Sequence, residues 1–177
     1  GDEVEGVYVL QELFNWLKSE HAIEELPIVV IPILNPDGYR ASSRVNSHAV
    51  DLNRNYPTKN WSPDFKKPKH NPGPKALSEP ENVFLDKLFK KFPPGFIITF
   101  HSWKPILNFN DDAEDVADYL SSYNEYVVTG DIGYPTPGSL GTYAPEKYHS
   151  PVLTFECPVL NDNLSLKQIW QENEEAL

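Results

Sequence analysis

Residues 35–56, NPDGYRASSRVNSHAVDLNRNY, follow an apolar run at residues 28–34, IVVIPIL. The run is too short for a helix of ordinary length and predicts a buried strand. Residues 35–38 (NPDG) predict a turn, because each of the four favours chain reversal. We therefore expect residues 35–56 to form a loop beyond the end of a strand, which is where open α/β sheets bind ligands.

This loop is rich in side chains that bind anions. After the turn it contains three arginines and three asparagines, in a chain with 15 basic and 26 acidic residues: Arg40, Arg44, Arg54, Asn46, Asn53 and Asn55. Arginine binds a carboxylate through two parallel hydrogen bonds, and asparagine amides donate alongside it. The loop therefore predicts an anion site, most simply one for a carboxylate.

The overall composition excludes several classes of protein. The chain has 177 residues, which predicts a single domain over residues 1–177. Its net charge of −11 argues against nucleic acid or an anionic membrane surface as a partner. No apolar run approaches the roughly 20 residues that span a bilayer. Since the chain does not open on a signal peptide either, we expect a cytoplasmic protein.

Alternating helical and apolar segments predict an α/β sandwich. Helices are expected at residues 5–20, 78–92, 112–123 and 164–176, and strands at residues 28–34, 96–100, 126–129 and 152–155. Residues 57–75 and 130–145, rich in proline or glycine, are expected to be loops. The second helix should begin with a capping box formed by Ser78 and Glu81.

Three polar residues border apolar elements. Glu3 precedes the first helix, and His101 and Glu156 each follow an apolar strand. Burying a carboxylate or an imidazole is costly unless a partner or a metal satisfies it. Each residue alone is more simply a hydrogen-bonded residue at the end of an element. Together with the arginine-rich loop at the same edge of the sheet, they favour an active site. Cys157 is expected to be a small buried hydrophobe rather than a nucleophile.

The motifs occur in an order that resembles the zinc carboxypeptidase family. NPDGY at 35–39, an arginine, DLNRN at 51–55, HS after an apolar strand and TFE at 154–156 follow one another as in that family. The segments at 72–81 and 133–141 resemble its bacterial murein peptide amidase branch, which trims cell-wall peptides. The resemblance implies a three-layer α/β sandwich, with a mixed, mostly parallel sheet and helices on both faces.

The resemblance also implies a zinc ion. In that family an HxxE motif and a distant histidine hold the metal, and Glu3 and His101 match the glutamate and the distant histidine. The first histidine would stand directly before Gly1, so we expect an N-terminal part with that ligand and the first strands to be missing. Catalytic zinc sites use three protein ligands, and two alone should bind zinc weakly.

The catalytic and substrate-binding roles likewise rest on the resemblance. Glu156 would be the general base that takes a proton from the attacking water and passes it to the leaving amine. Arg44 would stabilise the oxyanion. Asn53 and Arg54 would bind the C-terminal carboxylate of a peptide substrate. Tyr134, at the family's spacing before Glu156, would close over that substrate.

The other polar residues have more ordinary interpretations. Tyr143 is the alternative to Tyr134. Asp51 is expected to anchor the loop or to support a metal-binding histidine, and Asn55 to brace the turn. The remaining histidines are expected to lie in solvent or, for the first, at the end of the first helix: His21, His48, His70 and His149.

The leading functional hypothesis is a zinc-dependent carboxypeptidase that hydrolyses a C-terminal amide bond. Its substrate would be a peptide with a free C-terminal carboxylate, most simply a murein peptide with a γ-D-Glu-diaminopimelate end. One alternative is an N-acyl-amino-acid deacylase of the aspartoacylase type, which the complete NPDG and DLNRN motifs disfavour. The other is a metal-free carboxylate-binding module, which applies if the chain truly begins at Gly1.

Overall fold

The computed structural model describes residues 1–20 and 22–177, and its helices and strands alternate along the chain. The helices are α1 (Val4–Ser19), α2 (Ala22–Glu25), α3 (Pro36–Ala41), α4 (Pro80–Lys91), α5 (Glu114–Asn124), α6 (Leu140–Tyr148) and α7 (Leu166–Asn173). The strands are β1 (Ile97–Trp103), β2 (Ile106–Asn110), β3 (Val127–Thr129) and β4 (Val152–Pro158). Short 3-10 turns occur at Leu52–Arg54 and Pro68–His70. His21 lies outside the described residues.

The four strands form one mixed sheet in the order β1-β4-β2-β3. β1 is parallel to β4, β2 is parallel to β3, and β2 and β4 are antiparallel. The register places His101 directly opposite Glu156 on the neighbouring strand. The prediction of a mixed, mostly parallel sheet is therefore confirmed.

Helices cover both faces of the sheet, which confirms the three-layer α/β sandwich. Leu153 and Phe155 of β4 point to one face, into a core cluster with Val9 of α1, Ala117 of α5 and Ile169 of α7. Val152 points to the opposite face, into a second cluster formed largely by α4 and α6. Because side chains alternate along a strand, Glu156 lies on the same face as Val152. No helix within the described ranges is long and apolar enough to cross a membrane.

The strand predicted at residues 28–34 is wrong. The segment pairs with no strand in the described part of the chain, and the sheet ends at β1. Its side chains are partly exposed, with Val29 at 62%, whereas Ile31 and Leu34 pack against the second core cluster. An apolar sequence supplies the side chains of a strand, but a strand also needs a neighbouring backbone to bond with.

Two loops contain helices that local sequence did not predict. The NPDG turn is the start of α3, in which Asn35 Oδ1 accepts a hydrogen bond of 3.0 Å from the amide of Gly38. The second half of the predicted loop at 130–145 is α6, even though Pro145 lies inside it. Burial of Tyr143 and Ala144 against the sheet stabilises this helix and outweighs its weak local propensity.

Two further details of the sequence-based prediction differ from the structure. β2 was not predicted. It lies between β4, to which it is antiparallel, and β3, to which it is parallel. Ser78 does not cap α4, because Glu79 occupies the N-cap position and Ser78 Oγ donates to Glu79 Oε1 at 2.6 Å. The capping-box prediction is therefore wrong, and Ser78 and Glu79 instead belong to a hydrogen-bonded network that joins α4 to the 35–56 loop.

Candidate active site

Glu3 and His101 meet near the carboxyl-terminal end of β1, beside Glu156 of the neighbouring strand β4. Glu3 stands at the N-cap of α1, and its side chain makes no hydrogen bond to the helix. It accepts a hydrogen bond from His101 Nδ1 at its Oε2 atom instead, at 2.6 Å. The structure thus brings together the two predicted metal ligands from positions that are distant in sequence.

Electrostatics favour an ion pair between these two residues. Burial acts to raise the pKa of Glu3, but the hydrogen bond from His101 and the charges of His101 and Arg44 outweigh it and lower that pKa. Burial acts to lower the pKa of His101, but the hydrogen bond and charge of Glu3 outweigh it and raise that pKa. The two shifts have one cause, which is the short contact between the side chains.

The surroundings of Glu156 differ from those of the paired Glu3 and His101. Its Oε2 atom is buried and has no hydrogen-bond partner among the residues that the structure describes. Burial raises the pKa of Glu156, Glu3 adds to this effect, and His101 and Arg44 oppose it. A buried, unpaired carboxylate oxygen is uncommon in folded proteins and requires an explanation. A functional role is one such explanation, because it needs a carboxylate that is free to exchange a proton.

Glu3 and His101 are residue types that bind zinc, but two side chains are fewer than a catalytic zinc site uses. A carboxylate oxygen and an imidazole nitrogen that point to the same place are ordinary zinc ligands. Catalytic zinc sites use three protein ligands. Within residues 1–20 and 22–177 there is no group of three or more His, Cys, Asp or Glu side chains arranged to hold a metal. Among the described residues the structure therefore brings together one carboxylate and one imidazole of the kinds that bind zinc.

Arg44 links this pair to the 35–56 loop. Its Nε donates to Asp51 Oδ2 at 2.8 Å, and its Nη1 lies 3.5 Å from Glu3 Oε1. Burial acts to lower the pKa of Arg44, but the charge and hydrogen bond of Asp51 outweigh it. Asp51 is 2% exposed and also accepts from the backbone of Asn53. Asp51 thus anchors the loop and holds Arg44 beside Glu3.

The predicted carboxylate-binding pair is positioned by the turn that precedes α6. Asn53 Oδ1 accepts a hydrogen bond of 2.9 Å from the amide of Leu140, which directs the NH₂ group of Asn53 away from that turn. Arg54 is 7% exposed, and its Nη1 donates to the carbonyl of Asn53 at 2.6 Å. Burial lowers the pKa of Arg54, and Asp51 partly opposes this effect. Both side chains are thereby held in fixed orientations.

Gly138 allows the loop and this turn to approach closely. It has a φ of +70°, and a Cβ at this position would collide with the backbone carbonyl of Arg54. Its carbonyl accepts a hydrogen bond of 3.0 Å from the amide of Tyr56. Only glycine combines this backbone conformation with so short an approach.

Tyr134 lies at the rim of the site, and Tyr143 does not. Tyr134 is 48% exposed, and its ring meets the edge of Trp103 at 5.9 Å between centroids. Trp103 lies two residues beyond His101 on β1. Tyr143 is 1% exposed, stacks on Tyr56 and donates its hydroxyl hydrogen to Asp86. Of the two candidates, Tyr134 has the exposed ring and Tyr143 the buried one.

His70 is partly buried near the arginines of the 35–56 loop, whereas the sequence predicted that it lies in solvent. Its pKa is lowered by burial and then by the charges of Arg44 and Arg54. The backbone bond of 2.8 Å from the amide of Asp51 to the carbonyl of Asn71 brings this part of the long loop to the arginines. No local signal distinguishes His70, because only the fold of residues 57–75 places it there.

The remaining polar residues behave largely as expected. Asn55 is fully buried and braces the loop by donating to Pro72, Lys75 and Ser78. The side chain of His48 is 63% exposed and contacts Glu79. Cys157 is fully buried, and burial raises the pKa of its thiol to about 12, which fits a hydrophobe better than a nucleophile.

Comparison with known proteins identifies the family. The family model described as zinc carboxypeptidase matches residues 3–130. The chain belongs to the zinc carboxypeptidase family. The family resemblance that the motifs indicated is therefore confirmed, and the matched range contains Glu3, Arg44, Asn53, Arg54 and His101.

Several relatives of this zinc carboxypeptidase domain are murein peptide amidases. It is 32% identical to murein peptide amidase A of Vibrio campbellii over 151 residues, which are 78% of this chain and 60% of the relative. The structure of murein-tripeptide amidase MpaA from Escherichia coli O157 matches with a TM-score of 0.66 and 26% identity, over 83% of this chain and 66% of that one. The chain thus spans about three fifths of the length of the Vibrio campbellii relative.

A more distant structure supports the fold alone. Carboxypeptidase A from Helicoverpa armigera matches 99% of this chain and 56% of its own, with a TM-score of 0.73 and 16% identity. The sandwich and its sheet are therefore those of a carboxypeptidase.

Proposed function

We propose that this protein is a zinc-dependent peptide hydrolase that cleaves a C-terminal amide bond. The observation that carries the proposal is the meeting of Glu3 Oε2 and His101 Nδ1 at the end of β1, opposite a Glu156 with an unpaired buried oxygen. The candidate ligand His101 and the candidate proton acceptor Glu156 lie on adjacent strands, and the second candidate ligand, Glu3, lies at the start of α1. Family membership supports the same chemistry.

Glu3 and His101 would hold the metal, together with the HxxE histidine that the family resemblance implies. Zinc, when bound, supplies Lewis acidity to a scissile carbonyl and to a water molecule. Glu156 would take the proton from the attacking water and return it to the leaving amine. Its raised pKa suits this task, because a base must lose the proton again in the same turnover.

The arginine-rich loop would bind the substrate. Arg44 is held beside Glu3 by Asp51, where it can stabilise negative charge that develops on the carbonyl oxygen. Arg54 and the NH₂ group of Asn53 would bind the terminal carboxylate. Tyr134, exposed at the rim, would close over the bound peptide. These assignments explain why the arginines cluster in a chain with a net charge of −11.

The substrate class we propose is a murein peptide that ends in γ-D-Glu-diaminopimelate. Support comes from the murein peptide amidases among the relatives and from the carboxylate-binding groups of the loop. The test is release of diaminopimelate from L-Ala-γ-D-Glu-meso-diaminopimelate by the purified full-length protein with zinc. Activity only on ordinary C-terminal residues would remove the murein part and leave the peptidase.

A metal-free carboxylate-binding module is the second candidate. It is favoured by the hydrogen bonds that hold Arg54 and Asn53 in place, because these bonds orient carboxylate-binding groups without a metal. Metal analysis of the purified full-length protein separates the two functions. One zinc per chain supports the hydrolase, and carboxylate binding without zinc supports the module.

A further inference from the structure

Glu5 is a buried carboxylate with no role in the proposed chemistry. It lies in the first turn of α1, two residues after Glu3, and is 4% exposed. Its Oε2 accepts a hydrogen bond of 2.6 Å from Ser102 Oγ, and its Oε1 accepts one of 2.8 Å from the backbone amide of Leu160. Both oxygens are therefore satisfied inside the protein, which is the usual condition for a buried carboxylate.

These two hydrogen bonds join the three segments that carry the candidate catalytic residues. Glu5 shares the start of α1 with Glu3. Ser102 is the residue after His101 on β1, and Leu160 follows the end of β4, which carries Glu156. A single side chain thus connects all three segments, from the face of the sheet opposite to that of His101 and Glu156.

Gly6 provides an independent sign that the start of α1 is tightly seated on β1. A Cβ at Gly6 would lie 2.8 Å from the carbonyl carbon of Phe100 and 2.9 Å from the amide nitrogen of His101. Such distances are far below van der Waals contact, so the helix backbone approaches the strand as closely as glycine permits. Glu5, the residue before Gly6, bonds to β1 from the same turn of α1, and Glu3 at the start of this helix contacts His101.

We infer that Glu5 is a positioning residue that holds Glu3, His101 and Glu156 in place relative to one another. The inference rests on the proposed function, since the metal site is what Glu5 would position. Glu5 contacts neither substrate nor metal in this arrangement, and its effect passes through Ser102 and Leu160.

The decisive variants separate hydrogen bonding from charge. Glu5→Ala removes both bonds, whereas Glu5→Gln can keep both, because its oxygen accepts from Leu160 and its NH₂ group donates to Ser102 Oγ. Ser102→Ala removes one bond and leaves the charge of Glu5. Asp86→Asn is the matched control, since Asp86 is also buried and hydrogen-bonded but contacts α6 rather than the site.

Zinc affinity of the full-length protein, measured by chelator competition, is the first readout. We expect Glu5→Ala to weaken zinc binding on the order of 10-fold to 100-fold, as loss of supporting groups around metal ligands does. Ser102→Ala should have a smaller effect in the same direction, and Glu5→Gln and Asp86→Asn should stay close to wild type. The absorption bands of the cobalt-substituted protein should shift in Glu5→Ala, shift less in Ser102→Ala, and stay unchanged in Glu5→Gln and Asp86→Asn. An equal loss of zinc affinity in Glu5→Gln and Glu5→Ala would show that the charge of Glu5 matters and its hydrogen bonds do not. That result would overturn the inference.

Hydrogen exchange of the Leu160 amide in metal-free protein is the second readout. Glu5→Ala should accelerate this exchange, and Glu5→Gln should preserve its protection. If wild-type protein binds no zinc, the proposed function fails, yet the exchange of Leu160 still tests whether Glu5 holds the segments together. Unchanged protection in Glu5→Ala would overturn the inference, and if that variant does not fold, Ser102→Ala and Glu5→Gln decide it.

Discussion

Asp86 on α4 and Glu156 on β4 are both acidic residues with buried carboxylate oxygens. The hydrogen bonding of the two carboxyl groups is opposite. Asp86 is 5% exposed and accepts hydrogen bonds from Lys90, Lys147 and Tyr148 at 2.6, 2.8 and 2.6 Å, and a further one from Tyr143. Glu156 has a buried oxygen that accepts none. The carboxyl group of Asp86 accepts hydrogen bonds that stabilise the fold, whereas the buried oxygen of Glu156 accepts none among the described residues.

The pKa values of the two groups diverge accordingly. Burial acts to raise the pKa of Asp86, but Lys147, Lys90, Tyr143 and Tyr148 outweigh it and hold that pKa well below its usual range. For Glu156, burial raises the pKa and no hydrogen bond opposes it. Burial alone therefore does not distinguish a structural carboxylate from a functional one. The hydrogen-bond partners of the carboxyl group make that distinction.

The largest expected effect is that of Glu156→Gln on activity. A general base contributes on the order of 10²-fold to 10⁴-fold, so we expect kcat/KM for a C-terminal amide substrate to fall about 10³-fold. The free energy of unfolding should change by less than about 1 kcal/mol, because no hydrogen bond is lost. Steady-state kinetics and urea denaturation check the two parts, and zinc content is the control. Retained activity would contradict the assignment.

Asp86→Asn should have the reverse profile. The change is the same, carboxylate to amide, but it removes the negative charge that the hydrogen bonds from two partly exposed lysines and two tyrosines satisfy, and weakening such bonds costs about 1.5–3 kcal/mol. We expect the free energy of unfolding to fall by about 2 kcal/mol, and kcat of the folded fraction to stay within about 2-fold of wild type. A loss of activity without loss of stability would place Asp86 in the catalytic machinery.

Arg54→Lys tests whether the 35–56 loop binds the substrate on which Glu156 is proposed to act. Lysine keeps the charge and loses the fork that binds a carboxylate through two hydrogen bonds. We expect KM for a substrate with a free carboxylate to rise by roughly 10-fold, about 1.4 kcal/mol, with little change for the same substrate amidated at its C-terminus. Equal effects on both substrates would show that Arg54 does not bind the terminal carboxylate.

The smallest effect is the pH dependence of stability, and its sign should differ between the two residues. Asp86 has a lowered folded pKa, so its contribution is present above about pH 4 and is lost as the pH falls below that value. Glu156 has a raised folded pKa, so its ionisation lowers stability as the pH rises above about 4.3. Each contributes at most about 1.4 kcal/mol per pH unit. Unfolding curves of both amide variants between pH 3 and 7 check these signs against wild type.

Predictions from sequence succeeded where a pattern is local. The amphipathic stripe of α1, the apolar runs of β1 and β4 and the helix α5 are present close to their expected positions. The order of motifs also identified the family. Predictions failed where partners at a distance decide the outcome, as in the unpaired segment 28–34, the unpredicted β2 and the proline-containing α6.

The chemical groups of this protein can be listed from its amino-acid sequence alone: arginines and asparagines in residues 35–56, a histidine and a glutamate next to apolar runs, and a glutamate before the first helix. Which of these groups meet depends on how the chain packs. The 2.6 Å contact of Glu3 with His101, the approach of His70 to the arginines, and the difference between Asp86 and Glu156 depend on segments far apart in the chain. Side-chain type is a local property, whereas burial and hydrogen-bond partners are set by packing, which the whole fold determines.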